Sequence, residues 1–319
     1  MKQKQNRREF IRTTSTGIIG IGITSAYMSS IPEAHGAAAK VKVAVVRNER
    51  AISNRNVCDQ KQAALMLEKA LFTVTDKTKP EEVWSYLGVT KDDIVGIKVN
   101  CNSANFRLYV HPELVYALTD SLSSVVKPNN IIIYERYTPE LSRAGFRVNK
   151  NGSGVRCFGT DEGGGFHPQE GLTRIVTDTC TKIINIPSLK TFGGEFAGSL
   201  FLKNHIGTLP PNQMSRCHGN TKFITNVCSQ PSIKNKTVLA VCDGLRGTYR
   251  KSEPWYWSGI IVSRDQIAAE YEALQIINEK LIMEKEKALE TPSYVKLAET
   301  AYKLGTCDPG KIALVKTVL

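Results

Sequence analysis

The chain has 319 residues, 41% of them hydrophobic, and a formal charge of +12. This length suffices for one large or two ordinary domains with a substantial core, and the composition excludes a disordered chain and a membrane-embedded bundle. The positive charge suits anionic ligands or an anionic surface. However, the sequence has no block of Lys and Arg and no basic stripe with interleaved aromatic residues, so nucleic acid is not an expected partner.

The first 36 residues have the features of an export signal. Paired Arg7 and Arg8 precede a mildly apolar run over 17–28, and residues 34–36 are small enough for a signal peptidase. The segment resembles a twin-arginine signal, and its apolar run is shorter than the ~20 residues that span a bilayer. We therefore predict a signal peptide over 1–36, recognition by the twin-arginine export machinery, no permanent membrane span, and a periplasmic or extracellular location.

Strands and helices are predicted to alternate along residues 37–319. Predicted strands are short apolar runs, at 42–47, 93–101, 130–135, from 183 to Pro187, and at 236–242, 259–263 and 311–318. The helices between them have apolar residues at helical spacing, as over 60–71. This alternation predicts an α/β fold in one domain, with a mostly parallel or mixed sheet and helices on both faces. Residues near 138–170 are polar and rich in Gly, which predicts a loop or hairpin excursion there.

The central stretch, 183–207, predicts a strand, a glycine turn and a helix. Lys190 and Thr191 lead into Gly193 and Gly194, and the following helix ends at Gly207. In an open α/β sheet such a turn lies beyond the carboxyl end of a strand, where ligands bind, and the helix N-terminus offers free N–H groups to an anion.

Polar side chains also follow other predicted strands, and right-handed crossovers would bring them to one edge of the sheet. The resulting candidates for binding an anionic small molecule are Lys98, Asn100, Lys190, Thr191, Lys203, Asn204, His205, Asp243, Arg246 and Asp265. Lys190, His205 and Asp243 are also candidate catalytic residues, because such groups transfer protons. We expect Lys190 and His205 to be solvated, although strand-end polar groups also cap loops and pair with one another.

Eight cysteines are spread along the chain without a C-x-x-C pair. Ferredoxin and zinc-ribbon sites need clustered spacing, so no ferredoxin-type iron–sulfur cluster is expected. Cys217, His218 and Cys228 are the candidate metal ligands. Two classes of function stay open: an exported enzyme or cofactor protein whose crevice also takes a metal or redox cofactor, and a non-catalytic periplasmic solute-binding or assembly factor.

Five motifs resemble those of domain-of-unknown-function family 362, and together they extend over nearly all of 40–319. They are GIKVN (96–100), NIPSLKTFGGEFAGSLFLKNHIG (185–207), DGLRG (243–247), IVSRDQIAAE (261–270) and LGTCDPGKIALV (304–315). The resemblance implies secretion by the twin-arginine route, and a redox role is inferred for members with a fused ferredoxin-type module, which this chain lacks. The chain differs from the family at Gln266 and Glu270, where Pro and Asp are usual. The resemblance implies no particular activity.

Overall fold

A computed structural model describes residues 39–102, 108–191, 198–250 and 254–319, which belong to one compact unit. The predicted export signal and the glycine turn at Gly193 and Gly194 lie outside the described residues. The strands of the described part are β1 (Val41–Arg47), β2 (Val95–Lys98), β3 (Ile131–Glu135), β4 (Arg156–Gly159), β5 (Lys182–Asn185), β6 (Ser188–Lys190), β7 (Thr237–Thr248), β8 (Gly259–Ser263) and β9 (Ile312–Val318).

The helices of the described part are mostly short. They are α1 (Gln60–Thr75), α2 (Pro80–Tyr86), α3 (Pro112–Leu122), α4 (Thr138–Arg143), α5 (Phe201–Asn204), α6 (Pro211–Met214), α7 (Lys222–Cys228), α8 (Pro231–Lys234), α9 (Gln266–Met283) and α10 (Ser293–Thr300). A 3₁₀ turn, His205–Thr208, follows α5 directly. Of the helices in these ranges, none has both the length and the apolar character needed to cross a bilayer.

All the strands belong to one mixed sheet, in the order β4-β3-β2-β5-β7-β8-β1-β9, with β6 also paired to β7. Neighbours are parallel except at β8, which is antiparallel to both β7 and β1. Because β8 reverses the direction twice, β1 and β9 run the same way as β7.

Alternating side chains on the strands form two apolar layers. On one face, Ile97 and Ile133 pack with α1, α2, α3 and α4. On the other face, Ile132 and Ile183 pack with α5, α7, α8 and α10, and the neighbouring strands β1, β7 and β8 pack with α9. The sheet is therefore covered by helices on both faces.

The predicted α/β fold with a mixed sheet is confirmed, and two local expectations differ from the structure. The stretch 138–170 contains α4 and also β4, which pairs in parallel with β3 as the edge strand of the sheet. Strand β7 does not end at Cys242 but continues to Thr248, because Asp243 and Gly244 pair with Ile260 and Gly259 of β8. Asp243 and Arg246 consequently lie within a strand and not in the loop after it.

Candidate binding cleft

The chain changes direction across the sheet between β2 and β5. From β2 it continues through α3 to β3, and from β5 it continues through α5 and α7 to β7 on the other side. Helix α3 covers one face of the sheet, whereas α5 and α7 cover the other. The carboxyl ends of β2 and β5 therefore form a topological switch point, the place where open α/β sheets bind ligands.

A buried ion pair lies at this switch point. Lys98 ends β2 and Glu135 ends β3, and the Lys98 Nζ lies 2.6 Å from Glu135 Oε2 with both side chains almost completely buried. Lys98 also donates to the Val99 carbonyl at 2.7 Å and to Asn204 Oδ1 at 3.3 Å. Glu135 accepts from the Arg136 backbone N–H. Each charge therefore has several partners, as a buried ion pair requires.

Three asparagines, Asn100, Asn185 and Asn204, connect β2 and β5 to α5. Asn204 Nδ2 donates to Asn185 Oδ1 at 2.8 Å and to the Lys98 carbonyl at 3.3 Å, while Asn204 Oδ1 accepts from Asn100 Nδ2 at 3.2 Å. Asn185 ends β5 and Asn100 follows β2. Lys98 and Asn100 therefore share one side of the strand, whereas Ile97 and Val99 pack into the apolar layer on the other side.

Lys190 lies behind this amide network and is fully buried. Its Nζ donates to the Oδ1 atoms of Asn100 and Asn102, the latter at 2.9 Å. Burial lowers the pKa of Lys190 to about 7, against the opposing effect of Glu135. Near neutral pH, part of the Lys190 population is consequently a neutral amine, which can accept a proton.

His205 is also fully buried, beneath α5. Its Nε2 lies 3.0 Å from Gln266 Oε1 and 3.0 Å from Asn185 Nδ2. Burial lowers the pKa of His205 to about 4, although the hydrogen bond with Gln266 acts in the opposite direction. The expectation that Lys190 and His205 are solvated is therefore wrong. Both side chains belong to the wall behind the cleft, next to the lining residues Asn100 and Asn204. Thr191 is also buried, and its N–H donates to the Thr248 carbonyl of β7 at 3.1 Å.

A polar cleft of about 350 Å³ opens in front of these groups. We call it the switch-point cleft; its lining includes Asn100, Asn102, Glu135, Arg136, Ser199, Lys203, Asn204, Gly207, Ser215, Cys217 and His218. Gly207 passes close to the ion pair, because a Cβ at this position would lie only 3.0 Å from Lys98 Nζ and 3.1 Å from Glu135 Oε2. The absence of a side chain there lets the backbone approach the two charges.

Asp243 lies on the other face of the sheet, away from the Lys98 group. Its Oδ2 accepts from the His111 backbone N–H at 2.6 Å and lies 2.8 Å from His111 Nδ1, with both side chains buried. His111 Nε2 lies 3.1 Å from Asn56 Oδ1. Burial alone would lower the pKa of His111, but the Asp243 carboxylate outweighs burial and the pKa is raised. Arg246, farther along β7, has its guanidinium 5.9 Å from the centre of the Tyr256 ring.

Asp265 lies at the end of the sheet opposite the cleft. The prediction that Asp265 lines the crevice is therefore wrong. Because β8 is antiparallel, its last residue Ser263 pairs with Val43 and Ala240, near the beginnings of β1 and β7. Asp265 instead caps α9, accepting from the N–H groups of Ile267 and Ala268 at 2.8 and 3.1 Å. Its role in the structure is to fix the start of that helix.

Of the three candidate metal ligands, two line the cleft and one lies in the core. Cys217 and His218 line the cleft, whereas the Cys228 thiol donates to the Leu202 carbonyl at 3.3 Å within the apolar layer. Within the part of the chain that the structure describes, no three or more His, Cys, Asp or Glu side chains are grouped to hold a metal ion.

Two notable residues are not among the sequence candidates. Arg136 lines the cleft, and its guanidinium contacts both carboxylate oxygens of Glu140 at 2.6–3.0 Å. Arg136 directly follows Glu135 at the end of β3, and this strand-end position could have placed it among the candidate residues. His111 directly precedes Pro112, a pattern typical of a helix start. Its contact with Asp243 joins residues more than a hundred positions apart, and no local pattern indicates it.

Together, the layered mixed sheet and the polar cleft at its switch point define an α/β protein of the open-sheet class, in which ligands bind at the carboxyl ends of parallel strands. The profile of the domain of unknown function DUF362 matches residues 95–275, which is more than half of the chain and includes β2, β3, β5 and α5. The chain belongs to the DUF362 family. Neither a curated protein nor a solved structure matches it significantly.

Proposed function

We propose that this protein is exported and binds an anionic small molecule in the switch-point cleft. The observation that carries the proposal is the charge around the cleft. Lys203 and Arg136 line it, and the Nζ atoms of Lys98 and Lys190 lie in the wall behind it. Glu135 pairs with Lys98, and Glu140 pairs with Arg136. A cleft with this many basic groups around it favours carboxylates or phosphates.

The polar groups of the cleft support recognition of a small ligand with oxygen atoms. Asn100 and Asn102 offer amide groups, Ser199 and Ser215 offer hydroxyls, and Lys203 offers an ammonium group. Asn100 is held by donating to Asn204 and accepting from Lys190, so binding would order fewer side chains than a loose cleft would require. A metal or redox cofactor at the same edge is a further part of the proposal, with Cys217 and His218 as the residues that would contact it.

Binding is tested by titrating the purified protein with inorganic phosphate and malonate, followed by calorimetry and thermal unfolding. Lys203→Ala is expected to weaken binding roughly tenfold or more, because a hydrogen bond to a charged group contributes about 1.5–3 kcal/mol. Lys222→Ala, at an exposed position on α7 outside the cleft lining, is the matched control. Failure of the wild type to bind either probe, or equal losses in both variants, would refute the proposal.

The fate of the bound molecule distinguishes an enzyme from the solute-binding or assembly alternative. Native mass spectrometry of protein from the exported fraction identifies what is retained. A ligand recovered unchanged after incubation favours the non-catalytic alternative, whereas a converted one favours an enzyme in which the Lys190 amine transfers a proton. Export itself is tested by changing Arg7 and Arg8 to Lys, which should leave unprocessed precursor in the cytoplasm because Lys lacks the guanidinium fork. Normal processing of that variant would contradict the export proposal.

A further inference from the structure

Exposed apolar side chains are concentrated at one end of the sheet. Of the ten large hydrophobic side chains that are exposed in the described residues, six lie on β9, at the end of α9 or directly after β9: Ile282, Met283, Leu314, Val315, Val318 and Leu319. Met283 and Val318 are about three-quarters exposed. Single exposed apolar residues are normal on a protein surface, but a larger group marks an interaction surface. Leu314 and Val318 lie on the face of the sheet that α9 covers, whereas Val315 lies on the other face.

Strand β9 is the edge strand next to this group. It pairs with β1 along all seven of its residues, and its outer row of N–H and C=O groups has no strand partner in the described chain. A strand of this length spans ~23 Å. The other edge strand, β4, differs in two ways. It has only four residues, and its Cys157 forms an antiparallel bridge with Asn149 of the preceding segment. A short, covered edge is protected from pairing with another chain, whereas a long, open one is not.

The end of α9 extends the surface on one side of β9. Lys316 Nζ lies 3.3 Å from Glu279 Oε1, which places this part of α9 beside the strand. Ile282 and Met283 are three and four residues after Glu279 and so share its helix face. Leu314 and Val318 share the strand face of Lys316. An edge strand is commonly protected by an outward-pointing Lys, but here the ammonium group is directed toward Glu279.

We propose that β9 pairs in antiparallel fashion with β9 of a second copy of this chain, forming a continuous sheet across a two-fold axis. With all seven residues overlapping, Val315 lies opposite the Val315 of the second copy, Ile312 opposite Val318, and Lys316 opposite Leu314. An axis centred on Leu314 or on Lys316 instead would leave part of the strand without a partner. The axis on Lys316 would also place Lys316 opposite itself, and like charges directly opposite each other destabilise a sheet. The full overlap therefore favours apolar contact and separates the two lysines.

The choice of a second copy follows from this self-complementarity. A two-fold axis perpendicular to the sheet keeps both α9 helices on the same side. In this register the end of α9, which lies beside Lys316 of its own copy, approaches Leu314 of the other copy, the residue opposite Lys316. Both open edges are satisfied in one contact, and the assembly closes at two copies. In the described part of the chain the other edge strand is β4, whose Cys157 is already bridged to Asn149, so a third copy has no comparable edge to join there.

The experiment is sedimentation equilibrium of the wild type and of Val315→Lys and Val315→Glu. The wild type is expected to be a dimer at micromolar concentrations. Each charged variant is expected to dimerise roughly tenfold or more weakly, because two like charges would face each other at the centre of the interface. An equimolar mixture of the two variants should dimerise again, since Lys would then face Glu. Val148→Lys, an exposed apolar position near the opposite edge, is the control and should leave the dimer unchanged.

Three results would overturn the proposal. A wild type that sediments as a monomer at all concentrations shows that the edge does not pair. A dimer that persists in both charged variants places the interface elsewhere. Variants that do not recover in the mixture show that Val315 does not face its own copy. Thermal unfolding of each variant confirms that the fold is intact, and recovery in the mixture cannot be explained by misfolding of either one.

Discussion

Two buried ion pairs lie on opposite faces of the sheet and have different surroundings. Lys98 and Glu135 lie beside α5, and Glu135 lines the switch-point cleft. His111 and Asp243 are buried beside α3, with Asn56 as a further neighbour of the His111 ring. A buried charge costs free energy unless it is paired and hydrogen-bonded, and both pairs meet this condition. The difference is access to the switch-point cleft, because Glu135 lines it whereas neither His111 nor Asp243 does.

Access changes what each pair can do. At the cleft, a bound anion could replace or compete with Glu135 for the ammonium of Lys98, so the pair can respond to a ligand. On the other face, Asp243 holds the backbone N–H and the ring of His111 just before α3 begins, so the pair fixes the entry to that helix. The first pair is therefore expected to affect both stability and binding, and the second mainly stability.

The largest effect is expected for Glu135→Leu. Removing one member of a buried pair leaves Lys98 without its countercharge, which typically costs about 3–5 kcal/mol. The free energy of unfolding from urea denaturation measures this loss. The double variant Lys98→Met with Glu135→Leu should recover part of it, because no unpaired charge then remains. If the single variant is as stable as the wild type, the pair is not buried in solution as it is in the structure.

An intermediate, pH-dependent effect is expected for Asp243→Asn. The pKa of His111 is raised in the folded protein, so its contribution to stability is fully present below about pH 6.5, the ordinary histidine value, and is lost as the pH rises through the raised pKa. The variant should lose about 1.5–3 kcal/mol at low pH, the typical contribution of hydrogen bonds to charged groups. Urea denaturation from pH 5 to 9 should show the difference shrinking as the pH rises. A constant difference would mean that His111 is not protonated against Asp243.

The smallest effect is expected for Lys42→Ala. Lys42 pairs with Asp76, a side chain that is 76% exposed, and exposed pairs typically contribute 0–1 kcal/mol. Urea denaturation at low and high salt measures this contribution and provides the baseline for the two buried pairs. A loss as large as that of Glu135→Leu would show that burial does not distinguish these interactions.

Local patterns were sufficient to predict much of the fold. Strands β3, β8 and β9 lie within a residue or two of the predicted positions, because each is a continuous apolar run bounded by polar residues. The direction of β8 could not be predicted, since an apolar run fits a parallel or an antiparallel neighbour equally well. That one unknown accounts for the misplaced Asp265. Strand β4 was missed because it is short and follows a Gly-rich stretch.

The grouping of several candidate residues could be predicted from the sequence, whereas their burial could not. Lys98, Asn100, Lys190, Asn204 and His205 come together as expected, because they follow the ends of neighbouring strands or lie on the helix after one. Their burial was not predicted. It depends on how α5 packs on the sheet, and Glu270 helps to fix that packing by accepting from the Leu202 N–H at 2.8 Å. Contacts of this kind join distant segments and leave no local sequence pattern.

The position of β1 has a consequence for how the chain folds during synthesis. This first strand lies between β8 and β9, with Val43 opposite Ser263 on one side and Leu314 on the other. Neither neighbour exists until the chain has been synthesised as far as β8, so β1 stays unpaired with its apolar side chains exposed during that time. Such distant pairings slow folding and prolong the time in which an unpaired strand can aggregate. We therefore expect β1 to be among the last of the described strands to complete its pairing, although it precedes the others in the sequence.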